Sequence, residues 1–153
     1  MRHALTLATA CLVAAIPLAA LSPADAAGRL KSAANFETGT PGQADHEDFS
    51  FYLMQDGSKE VHYTYGADWK EVKLRYLGPK PGAEPAFRVQ FPNRLVLEVS
   101  VQGESLQVRS ADGRYDKTFR WQYEGPVDGR GTFCGPCVEE KEAPGFVTQH
   151  FAR

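Results

Sequence analysis

Phe87-Arg88-Val89-Gln90-Phe91 and Leu95-Val96-Leu97-Glu98-Val99-Ser100-Val101, joined by Pro92-Asn93-Arg94, decide the fold. Phe87, Val89 and Phe91 alternate with Arg88 and Gln90; Leu97, Val99 and Val101 alternate with Glu98 and Ser100, and Val96 breaks the pattern once. Period-two alternation puts one set of side chains in a core and the other in water, the mark of a half-buried strand. A three-residue connection joins only antiparallel neighbours, because a parallel crossover needs a dozen residues or more. This segment therefore reads as a β-hairpin.

The same period extends in both directions. Val61, Tyr63 and Tyr65 alternate with polar residues, as do Val72, Leu74 and Tyr76. Leu106 and Val108 follow, then Phe119, Trp121 and Tyr123, which read as a core face. Short turn-formers separate the runs at Asp56-Gly57-Ser58, Gly66-Ala67-Asp68, Gln102-Gly103-Glu104 and Ala111-Asp112-Gly113. Seven or eight short antiparallel strands imply an all-β meander, closed into a barrel or folded as a sandwich. Residues 49–153 form this domain in the sequence reading, and residues 27–48, with Gly39, Pro41 and Gly42, read as a flexible leader. Gly125–Pro136 reads as a cysteine-containing loop, and Phe146–Phe151 as a last strand.

Ahead of the leader, Arg2 and His3 precede an apolar run from Ala4 to Leu21, and Ala24-Asp25-Ala26 supplies a signal-peptidase pattern. Residues 1–26 thus read as a secretory signal peptide, with a new N-terminus at Ala27 and no membrane span after cleavage. The expected location is periplasmic or secreted. All nine Phe, six Tyr and two Trp lie downstream. Cleavage removes one base (Arg2) and one acid (Asp25), leaving 18 acids against 16 bases. A nucleic-acid partner calls for a basic excess, which this chain lacks. Charge is unevenly placed: Asp45–Glu60 holds five acids and one base, Lys70–Arg120 ten bases and six acids. That second stretch is either the polar side of strands or a basic face for an acidic partner.

Phe133-Cys134-Gly135-Pro136-Cys137 is the one segment with a chemical accent. Its Cys-Gly-Pro-Cys tetrapeptide is similar to the active site of the thioredoxin family, a resemblance of four residues. It implies Cys134 as attacking thiolate and Cys137 as resolving thiol. The family sets this motif at the head of a long helix in a βαβ frame, whereas here it follows a Gly-rich loop near the end of an all-β chain. Glu139, Glu140 and Glu142 also disfavour a thiolate. The leading reading is a small structural disulfide between Cys134 and Cys137; a redox pair or a metal-carrying pair are the alternatives. His46, His62 and His150 stand alone, without metal-ligand spacing. No nucleophile elbow, phosphate loop or dinucleotide fingerprint is present, and the sequence indicates no cofactor. Trp69, just past a turn, is the candidate ligand-binding aromatic. The expectation is an exported, non-enzymatic binding or inhibitory module for an envelope protein or small-molecule ligand.

Overall fold

A computed structural model of the chain describes residues 30–82, 84–122 and 137–153. The expected signal peptide, Tyr123 and Cys134 lie outside the described residues. Eight antiparallel strands run in chain order: β1 (Leu30–Thr38), β2 (Glu47–Met54), β3 (Lys59–Tyr65), β4 (Lys70–Pro79), β5 (Ala86–Gln90), β6 (Val96–Gln102), β7 (Ser105–Ser110) and β8 (Asp116–Trp121). Each pairs with the next, and β1 returns to β8 through Phe36↔Trp121 and Glu37↔Arg120, closing a barrel. Of the two architectures left open by the alternation, the barrel is the one formed. One helix, α1 (Ala143–Phe151), follows.

Eight strands enclose a space that side chains can just fill. Here they fill it with aromatic rings. Phe36, Phe49, Phe51, Phe87, Phe119 and Phe151 are all fully buried. Phe49 meets Phe119 at 4.9 Å, edge to face, and Phe51 meets Phe87 at 5.7 Å and Phe151 at 5.4 Å. Such contacts lie within the favourable range for ring pairs. Val61, Val89, Leu97, Val99, Leu106 and Val108 complete the packing.

The two barrel ends differ. α1 closes one of them: Phe151 enters the core, and its carbonyl accepts a hydrogen bond from the Tyr76 hydroxyl at 2.5 Å. At the opposite end, inward-facing polar residues finish the stack. Glu47 accepts hydrogen bonds from the Tyr115 hydroxyl and the Lys117 ammonium, tying β2 to β8 across the barrel. Burial, and then the neighbouring Glu47 carboxylate, push the Tyr115 phenol above its ordinary range.

Two expectations are corrected. Residues 30–38 of the expected leader are β1, so the barrel begins at Leu30 rather than Phe49. The alternation is hidden there because both faces are covered. Ala34 and Phe36 face the core, while Ala33 and Asn35, on the outer side, are also buried. Ala33 is bridged by Cys137, and Val138 N–H donates to its carbonyl. Phe146–Phe151 is the second correction, since it belongs to a helix. Pro144 stands in the first turn, where its missing N–H costs nothing. Ala143, Phe146, Val147 and Phe151 then make a buried stripe at helical spacing.

Candidate binding face around Trp69

Trp69 occupies the β3–β4 turn, where Gly66 N–H donates to the His46 carbonyl and Trp69 N–H to the Gly66 carbonyl. Its φ of 52° is left-handed, a conformation that costs a non-glycine residue about 1–2 kcal/mol. The ring is held by what lies beneath it. His46 is fully buried, its centroid 4.4 Å from that of Trp69, with Nε2 3.1 Å from Glu37 Oε2. His46 Nδ1 has no partner among the described residues. Trp69 itself is half-buried, its ring tilted against that of His46. His46 is thus a pedestal for the candidate aromatic.

Next to this pedestal, the outer face of β1–β4 assembles a titratable grid. Strand register aligns Glu37, Asp48, Thr64 and Glu71 in one row, and Asn35, Ser50, His62 and Lys73 in the next. Asp48 is 4% exposed, and the Ser50 hydroxyl donates to it at 2.8 Å. Burial raises the Asp48 carboxyl to about 6; Ser50 and His46 oppose the rise, while Glu37 and Glu71 add to it. His62 lies between two carboxylates, Nδ1 2.5 Å from Glu71 and Nε2 3.2 Å from Glu60. Lys73 pairs with the second oxygen of Glu60 at 2.6 Å. The Lys73 hydrogen bond, and His62 after it, hold Glu60 below the usual carboxylate range. The Tyr52 ring meets His62 edge to face at 5.1 Å.

Sequence reading found Trp69 but not its companions. His46, Glu37, Asp48 and Glu71 are separated along the chain and adjoin only once β1 is recognised as a strand. The basic stretch from Lys70 to Arg120 does not form a uniform face. Glu98 and Asp116 interrupt it, pairing with Lys80 at 2.6 Å and Arg109 at 3.1 Å. Phe119 is a core residue and Trp121 packs against the core, donating from Nε1 to the Val138 carbonyl. Cys137 sits beside β1 at Ala33, away from Trp69 in sequence register; its expected partner Cys134 lies outside the described residues. Among the described residues no group of three or more His, Cys, Asp or Glu side chains is placed to hold a metal ion, and no helix is long and apolar enough to cross a membrane. Comparison with protein-family models, curated proteins and solved structures finds no match to this chain.

Proposed function

We propose that this chain is an exported, non-enzymatic binding module, inhibitory or accessory in role, which recognises a protein partner of the cell envelope through Trp69 and the exposed part of the outer face of β1–β4. One observation carries the reading: the barrel interior is occupied by its own phenylalanines, so recognition is left to the outside. Trp69, partly exposed at the end of that face, is a residue type enriched at the centres of interfaces. Glu37, Glu60 and Glu71 outnumber Lys73 there, a balance suited to a cationic partner surface. Residues 1–26 supply the export signal, placing the protein in the periplasm or outside the cell, with the N-terminus of the exported form at Ala27. Cys134 and Cys137 then form a local disulfide that shapes the loop leading to α1. Cys137 lies within the described residues and Cys134 outside them.

Capture from an envelope extract tests the reading, with wild type, Trp69→Ala and Glu71→Lys as parallel baits. The expected result is a cationic protein retained by wild type and lost by both variants. A partner retained equally by all three overturns the assigned face.

A further inference from the structure

His62 poses a question of donor count. Glu60 and Glu71 are acceptors when ionised, and a neutral imidazole carries a single N–H. Both ring nitrogens nevertheless face carboxylate oxygens, Nδ1 toward Glu71 on β4 and Nε2 toward Glu60 on β3 itself. The two contacts are satisfied together only by the imidazolium. A neutral ring sets a lone pair against one carboxylate, and that contact opens.

The other groups around the ring do not relieve this. From β4, Lys73 is engaged with Glu60. From β2, Tyr52 presents its ring edge, and Ser50, opposite His62 in the ladder, donates to Asp48. Glu60 is anchored by Lys73 whatever the state of His62, whereas Glu71 is 59% exposed on its side chain.

We propose that His62 is a proton-operated clamp on the recognition face, closed on Glu60 and Glu71 while the ring carries its proton and open once the proton is lost, so that the face grips a cationic partner more firmly as pH rises. The inference rests on the assigned binding face and adds its regulation. Loss of the proton removes one positive charge from the grid. Asp48 acts in the same direction, because a carboxyl raised to about 6 also takes on its negative charge as acid is neutralised. The face is therefore least acidic where the clamp is closed. Its partner is gripped more firmly as pH rises and released in acid.

Two measurements separate the clamp from the face. In the first, thermal midpoints of the protein, purified in the form the cell accumulates, are compared with those of His62→Gln and Glu71→Gln at pH 5 and pH 8. Each difference is taken at a single pH, so the titration of Asp48 cancels for His62→Gln, the primary readout, while Glu71→Gln also removes a charge that acts on Asp48. The clamp predicts that both variants lower the midpoint by about 2–4 °C at pH 5 and by much less at pH 8. An equal loss at both pH values, or none at either, overturns it. In the second, retention on immobilised poly-lysine is measured at both pH values, with exposed Glu104→Gln as a control for net charge. Wild type is expected to be retained several-fold better at pH 8, with Glu71→Gln losing most of the gain and Glu104→Gln keeping it. A pH-dependent midpoint together with equal retention of the two variants overturns the binding face and leaves the clamp standing.

Discussion

Phe151→Ala is the sharpest test of how the barrel is closed. The side chain is fully buried, with ring centroids 5.4 Å from Phe51, 5.7 Å from Tyr76 and 5.8 Å from Phe87. Truncating a buried phenylalanine costs about 3–5 kcal/mol, the upper part applying where the surroundings cannot collapse. A closed ladder of eight strands is such a surrounding, because moving any one strand breaks hydrogen bonds to two others. For a domain of this size the loss corresponds to a fall of roughly 10–20 °C in Tm. Tyr76 keeps its acceptor, a backbone carbonyl that the substitution leaves in place. Gln149→Ala is the control. In a strand, Gln149 would share a face with Val147 and Phe151; in α1 it is exposed while they are buried. Urea unfolding followed by circular dichroism should give a large loss for Phe151→Ala and a change within about 0.5 kcal/mol for Gln149→Ala. A loss under about 1.5 kcal/mol for Phe151→Ala, or equal losses for both variants, refutes a helix plugging the core.

Asp48 should make the wild type less stable as pH rises. Its folded-state carboxyl titrates near 6 against an unfolded value near 3.8, so its stability contribution is complete below about pH 4 and lost on passing through pH 6, roughly 3 kcal/mol in all. Urea midpoints of Asp48→Asn should match wild type near pH 4 and exceed it at pH 7.5; equal midpoints at pH 7.5 would contradict the burial cost. Gly39→Ala should cost more than about 2 kcal/mol, since φ is 79° and a Cβ would lie 2.2 Å from the Asp45 carbonyl oxygen. Gly57→Ala, at φ 83° but with open space around it, should cost about 1 kcal/mol in the same denaturation assay. Replacing Cys134 and Cys137 together by serine should cost well under the ~2–5 kcal/mol of a typical native bridge, because a two-residue gap closes little chain. The same double variant should leave insulin reduction in dithiothreitol unchanged from wild type; a loss of such activity would favour the redox reading.

The strands carrying strict alternation were legible from sequence because one face is wet and the other dry. β5–β6 around Pro92-Asn93-Arg94 is the clearest case. β1 was not legible, since its outer residues Ala33 and Asn35 are covered as fully as its inner ones. A strand buried on both faces loses its period, and alanine adds little strand preference of its own. α1 reads as a strand in the sequence because Phe146, Val147 and Phe151 lie in a segment too short to separate helical spacing from alternation. Of the proposed face, the sequence singled out only Trp69. His46, Glu37, Asp48 and Glu71 come together through strand register, which composition and local spacing do not encode.

Recognition by the outer face, rather than by an internal cavity, is the central claim, and backbone and side-chain NMR shifts of the labelled protein on addition of its captured partner test it most directly. The account predicts perturbations concentrated at Trp69, Glu71, His62 and Glu37, with Phe51, Phe87 and Phe119 unmoved in the filled interior. Perturbations centred on those core rings, with Trp69 and Glu71 silent, would contradict it.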